Sequence, residues 1–187
     1  MERRPDCSGA GITMIDATSF LSVLFADVSG NARLHEKLGS TEAMRAVDRC
    51  LKRMERAIDG FGGRVIKSAG DELMAVFDSA DEALQAAIEM QQRVADLPPV
   101  SGVKLAIRVG FSHGPVSNDE SGVVGKTVET AAHLAGLAKP GQVLTSLQAH
   151  HALSASFKKL TCNAGSTSAA GMPPGVEVYE VIAPESL

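Results

Sequence analysis

The run FLSVLFADV at residues 20–28 is rich in apolar side chains, reaches an acidic residue at Asp27 and gives way to a Ser29-Gly30 turn. A short apolar segment bounded in this way reads as a buried central strand. It therefore calls for a chain able to cover a sheet. With 187 residues, 44% of them hydrophobic and 21% charged, the chain has the balance of one soluble domain with a real core. Disorder is excluded by composition.

Charge narrows the partners. Eighteen Lys and Arg stand against 22 Asp and Glu, giving a net charge of −4. Nonspecific nucleic-acid binding rests on a basic face that neutralises phosphates, so no nucleic-acid partner is expected. Cys7, Cys50 and Cys162 are odd in number and widely spaced, which indicates reduced thiols rather than a disulfide framework or a zinc site. No stretch approaches the roughly 18 apolar residues needed to cross a bilayer, and the first residues lack the apolar core of a signal peptide. The expectation is a cytoplasmic segment that makes no membrane contact.

Residues 1–18 are aperiodic and read as a leader or linker, with a domain over 19–183 and a short tail at 184–187. Between Ser40 and Asp59, Ala43, Val47, Leu51, Met54 and Ile58 recur at helical spacing, predicting an amphipathic helix with Ser40 as N-cap and Gly60 as its stop. GGRVIKSAGDELMAVF reads as two strands joined at Ser68–Asp71, which places Asp71 at a hairpin tip. A second helix is predicted from 79 to 97, closed by Pro98-Pro99. The alternation of KLAIRVGF predicts a strand over 104–111 with one more polar face. Beyond the turn-rich SHGPVSNDESG follow a helix near 126–138, a strand at 142–145, a helix at 147–153 and a strand at 176–182. Residues 162–175 read as a loop.

The element order implies a mixed α/β (α+β) fold: a ferredoxin-like βαββαβ core, mostly antiparallel, with helices on one face and an appended C-terminal α/β piece. Asp27 at a strand end and Asp71 at a hairpin tip can be neighbours in such a sheet. Two hard carboxylates there suit Mg²⁺ or Mn²⁺. Residues Ser29, Gly30, Asn31 and Ala32 could present backbone N–H groups to phosphates. His150-His151, His35 and His113 read as surface or turn residues, and Met44, Met54, Met74 and Met90 as core filler.

Five separated segments carry a resemblance. FADVSG at 25–30, RVIKSAGDELMAVF at 64–77, IRVGFSHGPV at 107–116, VVGKTVETAAHLAGLAKPGQVLTS at 123–146 and VEVYEV at 176–181 together resemble the class III nucleotidyl (adenylate/guanylate) cyclase catalytic domain. The resemblance implies conversion of a nucleoside triphosphate to a 3′,5′-cyclic nucleotide and pyrophosphate, in a site shared between two head-to-tail domains. It implies two divalent cations on Asp27 and Asp71, with the Val28 carbonyl as a further ligand. It also implies a purine-selecting Lys67 and phosphate contacts around Gly30 and Asn31.

The same comparison exposes departures. The second base-selecting position falls on Gly122, the transition-state asparagine on Glu129 and the transition-state arginine on His133. The phosphate-binding lysine falls on Ala170, before Gly171. Glu129 would repel a triphosphate, and His133 cannot form a bidentate fork. In the family, the metal aspartates come from one partner and the other groups from the second. This chain keeps the first set and lacks most of the second, so it looks like the metal-bearing half of a heterodimer, with impaired activity as a homodimer. A noncatalytic nucleotide- or protein-binding module of cyclase fold is the alternative, and a cyclase of unusual base preference is a third reading.

Overall fold

The computed structural model describes residues 19–182 apart from 121 and 168–175. The expected leader, the tail, Cys7, Ala170 and Gly171 lie outside the described residues. Fourteen elements follow one another: β1 (Ser19–Ser29), α1 (Asn31–Leu38), α2 (Ser40–Gly60), β2 (Arg64–Ala69), β3 (Glu72–Phe77), α3 (Ala80–Ala95), β4 (Ala106–Asp119), β5 (Gly122–Val124), α4 (Lys126–Leu137), β6 (Val143–Ser146), α5 (Leu147–Ala152), α6 (Ala155–Lys158), β7 (Thr161–Thr167) and β8 (Val176–Val181). The sheet runs β2-β3-β1-β4-β6-β8-β7, with β5 paired to β4. β4 and β6 are parallel, and the other pairings are antiparallel. The first four strands reproduce the expected ferredoxin-like core.

β1 lies at the centre of that core because its two faces both find cover. Leu24, Ala26 and Val28 join the main core with Cys50, Met54, Phe77, Leu84, Met90 and Phe111. Val23 and Phe25 belong to a second cluster with Met74, Val76, Val116 and Ala131. Since successive strand residues alternate faces, α2 and α3 cover one side and α4 covers the other. The expectation of helices on one face is thereby corrected. β1 needed cover twice, because a strand with apolar residues on both faces cannot leave either to water.

Local chemistry fixes the helix ends. Ser79 accepts from the Glu82 N–H at 3.2 Å while the Glu82 carboxylate accepts from the Ser79 N–H at 3.1 Å, a reciprocal cap worth about 1 kcal/mol. α2 begins differently from expectation. Gly39 is its N-cap, with no side-chain cap, and Ser40 is the first helical residue. Met44 is also corrected: it is 63% exposed, whereas Met54, Met74 and Met90 are buried. Burial pushes the Cys50 thiol up to about 12, and Cys50 and Cys162 are both free.

Two strands exceed what the pattern predicted. β4 continues to Asp119 through the turn-rich segment, because Ser112, His113 and Gly114 pair with Val23, Ser22 and Leu21 of β1. Residues 161–167, expected within or beside a loop, form β7 by pairing with β8, with a register shift between Asn163 and Gly165.

Candidate active site

The β1–α1 turn is the pivot of the site. Gly30 caps α1 at φ 97°, a left-handed conformation that favours glycine. A Cβ there would stand 3.3 Å from the Lys104 carbonyl oxygen and 3.4 Å from Leu105 Cδ2. Strand, turn and helix therefore meet the segment before β4 at close range. On the other side, the Val28 N–H donates to the Asp71 carbonyl at 3.0 Å. The hairpin tip carrying Asp71 is thus tied by its backbone to the residue next to Asp27.

The two carboxylates face different partners. Asp27 lies in register with Glu72 of β3 and Arg108 of β4, and the Arg108 guanidinium donates to and ion-pairs with it. Asp27, Glu72 and Arg108 line a cavity of about 120 Å³ together with Ala132, Ala135 and Gly136 of α4. Asp71 instead accepts from Asn31 Nδ2 at 3.1 Å. It lines a cavity of about 450 Å³ with His35, Met44, Val47, Asp48 and Leu51. The structure brings the backbones of the two aspartates together and turns their side chains apart.

The residues holding the carboxylates are themselves incompletely satisfied. Asn31 Oδ1 and Arg108 Nε are buried without a hydrogen-bond partner. Buried polar atoms normally find one, so the arrangement has unused capacity on both sides of the turn. Carboxylate oxygens are the hard ligands that Mg²⁺ or Mn²⁺ takes, and the Val28–Asp71 bond joins the backbones that carry the two of them. No cluster of three His, Cys, Asp or Glu suited to a metal is found among the described residues.

The remaining predicted positions cluster elsewhere. Lys67 is exposed on β2, next to a register shift. Ile66 Cγ2 would lie 3.9 Å from a Cβ on Gly122, so the edge of β2 that carries Lys67 runs near Gly122. Glu129 pairs with Lys126 at 3.2 Å, and His133 Nδ1 lies 2.9 Å from the Glu129 carbonyl. The expected repulsion by Glu129 is thus offset in part within its own helix. His133 lines a cavity of about 350 Å³ with Ser112, His113, Lys126, Thr127 and Thr130, which does not include Asp27 or Asp71.

Arg108 was missed by sequence reasoning. Its signal was present as a charged residue, with Lys104, on the polar face of the alternating segment 104–111. His113 also does more than expected, lying 2.9 Å from the buried Ser22 hydroxyl. His150 stacks on Tyr179 at 4.0 Å between ring centroids and contacts Thr161 at 2.8 Å.

Comparison with known proteins decides the family. The family model of the adenylate and guanylate cyclase catalytic domain matches residues 14–179. The chain belongs to that family. An adenylate cyclase of Anabaena cylindrica is 30% identical to this cyclase domain over 141 residues, covering 66% of the chain and 28% of the relative. The domain therefore spans about a quarter of that relative's length. Among solved structures, the guanylate cyclase domain from Catenaria anguillulae in complex with GTP matches with a TM-score of 0.77 and 21% identity, over 88% of this chain and 97% of that one. An adenylate/guanylate cyclase/hydrolase from Silicibacter pomeroyi matches with a TM-score of 0.73 and 25% identity, over 89% and 98%.

Proposed function

We propose that this cyclase domain supplies the metal-bearing half of a site that converts a purine nucleoside triphosphate to its 3′,5′-cyclic nucleotide, and that it works poorly as a homodimer. One observation carries the reading. Asp27 lies at the strand end before a glycine-capped turn and Asp71 on the hairpin bonded to it through Val28, while α4 carries Glu129 paired to Lys126 and His133 on a separate cavity.

When bound, two divalent cations would lower the pKa of the ribose 3′-hydroxyl and offset charge building up on the phosphate oxygens. Asp27, Asp71 and the Val28 carbonyl would hold them. Arg108 holds Asp27 in the metal-free chain. Once that carboxylate turns toward a cation, the guanidinium is released beside it with a donor fork suited to phosphate oxygens. Asn31 plays the matching part for Asp71, keeping the carboxylate oriented toward the turn. Lys67 at the β2 edge is the candidate for purine selection, and Gly122 beside it offers no side chain to share the task.

The α4 positions explain the poor homodimer. A Lys126–Glu129 ion pair and a His133 ring held by its own helix replace an amide and a guanidinium that would meet a developing charge. Losing one preorganised donor of that kind costs on the order of a hundredfold in rate. A partner cyclase domain with the asparagine and arginine intact would complete the site. The Asp27–Arg108 pair also supports a second reading, a noncatalytic module of the same fold, because it closes the carboxylate without any metal.

The test is a product assay on the purified chain with Mn²⁺ and ATP, GTP, CTP or UTP, resolved by mass, with an Asp27→Ala/Asp71→Ala control. Little or no cyclic product alone, and clear product on adding a domain that has the asparagine and arginine but lacks the aspartates, is the expected result. Vigorous turnover by the chain alone would defeat the half-site reading. Silence with the partner as well would favour the noncatalytic one.

A further inference from the structure

The outward side of α2 carries a line of cations, Arg45, Arg49, Lys52, Arg53 and Arg56, all of them exposed. At 3.6 residues per turn they occupy a strip about 100° wide and about 16 Å long. The inward side of the helix is core, with Ala46, Cys50, Met54 and Ala57 buried. α2 lies across the sheet from α4, so the strip is remote from Glu129 and His133.

The helix gives these charges little of its own to pair with. Arg45 is held by Glu42 and Lys52 by Asp48, each at 2.8 Å. Arg49, Arg53 and Arg56 form no ion pair or hydrogen bond through their side chains among the described residues. The residues one turn from Arg49 are Arg45, Ala46, Lys52 and Arg53, and those one turn from Arg53 are Arg49, Cys50, Arg56 and Ala57. Every one is a cation or a core position. Like charges three or four residues apart destabilise a helix, so α2 carries this strip against its own stability. The chain as a whole is acidic at −4, which makes the concentration of cations local to this face.

Width and surroundings select the anion. Asp48, Glu55 and Asp59 follow the neighbouring flank of α2, and together with the net negative charge they oppose a broad anionic surface such as a bilayer or a nucleic-acid duplex. The exposed large apolar residues among those described are Phe20, Met44, Ile66 and Ile182. Of these Met44 alone belongs to α2, and it lines the Asp71 cavity, so the strip has no anchor for lipid. What fits is a narrow anionic ridge. Carboxylates at i, i+4 and i+7 of a second helix match the spacing of Arg49, Arg53 and Arg56, and guanidinium forks bond carboxylates in pairs. We propose that this face of α2 docks an acidic helix of a partner protein through Arg49, Arg53 and Arg56. The contact needs neither the metal site nor catalysis, and it is reversible, since exposed ion pairs are individually weak.

Fluorescence anisotropy of the full chain with a labelled, alanine-based helical peptide bearing glutamates at alternating spacings of four and three tests it. A peptide of the same composition, with its glutamates spread around the helix, controls for charge alone. Saturable binding is expected, weaker by about tenfold or more for the control peptide and for Arg49→Gln/Arg53→Gln/Arg56→Gln, and falling with added salt. The triple variant should also melt no lower than the parent chain, because it removes like-charge neighbours. Clearly lower melting would show the arginines serving the fold and would overturn the proposal. So would the absence of saturable binding, equal affinity for the control peptide, or an affinity that the substitutions leave unchanged. Tighter binding to phosphatidylglycerol vesicles or to duplex DNA than to the peptide would overturn it too, and would assign the strip to that surface instead.

Discussion

Arg108 and Asp27 sit directly opposite one another on β4 and β1, and their side chains form an ion pair on the α4 face of the sheet. The pair places a fixed positive charge against one of the carboxylates proposed to hold metal. Cation binding there must displace or oppose the guanidinium. Arg108→Gln, which keeps length and loses charge, is therefore expected to tighten Mn²⁺ binding on the order of tenfold. Manganese electron paramagnetic resonance would read the change. The same variant should lose about 1–2 kcal/mol of metal-free stability, since it leaves a half-buried carboxylate with a weaker partner. Unchanged Mn²⁺ affinity would mean that Asp27 is not a ligand.

The helix α4 offers a test in the other direction. Glu129 and His133 are one turn apart, and the imidazole is held by the Glu129 carbonyl. Glu129→Asn/His133→Arg would replace a carboxylate by a neutral donor and an imidazole by a charged fork. The double variant is expected to raise cyclic-nucleotide formation by the chain alone by about a hundredfold, measured as product per unit time with Mn²⁺. Lys126, freed from its 3.2 Å partner, would then add positive charge. No gain over the unsubstituted chain would point to a loss of function seated elsewhere.

His113 is expected to make the fold acid-sensitive. Burial pushes its imidazole below the ordinary value of 6.5, and His150 is lowered for the same first reason, with Lys158 and His151 adding to it. A histidine kept neutral by the fold binds fewer protons than in the unfolded chain. Its contribution is intact above 6.5 and is lost as pH falls from there through the lowered folded value. Urea midpoints should therefore drop between about pH 7.5 and pH 5.5, and His113→Gln should shrink that drop. At neutral pH the substitution is expected to cost about 1 kcal/mol through the Ser22 contact. A drop of the same size in the variant would exclude His113 as its source.

What the sequence disclosed follows from the range of each interaction. β1, α2 and α3 were legible because their periodicity is local, and Asp71 could be set on a hairpin tip because Gly70 and its neighbours are turn-formers. The Asp27–Arg108 pair was not, since it spans 81 positions and depends on a strand register that no local pattern states. β7 escaped for a related reason: TCNAGST has weak strand character and is recruited by β8. Met44 misled because it adjoins buried Ala43 on the helix yet points out beside Asp71. The α4 positions were readable by alignment with a family pattern, but the Lys126–Glu129 pair that tempers the negative charge is a matter of side-chain geometry, which a family pattern does not contain.

The tightest approach of α4 to the sheet is at Gly110, with Gly114 close to Thr127 further along β4. A Cβ at Gly110 on β4 would stand 2.1 Å from the Ala135 amide nitrogen, 2.6 Å from the Ala131 carbonyl oxygen and 2.6 Å from the Leu134 carbonyl carbon. All three are backbone atoms, which cannot swing aside as a side-chain tip can. Gly110→Ala must push the helix away from β1 and β4, and overpacking of this kind costs about 3 kcal/mol. Gly136 on the same helix is the contrast. A Cβ added there would meet nothing within 4 Å, so Gly136→Ala should stabilise by about 0.5–1 kcal/mol through helix propensity. Thermal unfolding of the two variants is thus expected to move in opposite directions, and Gly110→Ala should in addition loosen the cavity between Asp27 and α4. A neutral Gly110→Ala would mean that α4 does not lie against β4, and with it would go the placement of Glu129 and His133 on which the half-site reading depends.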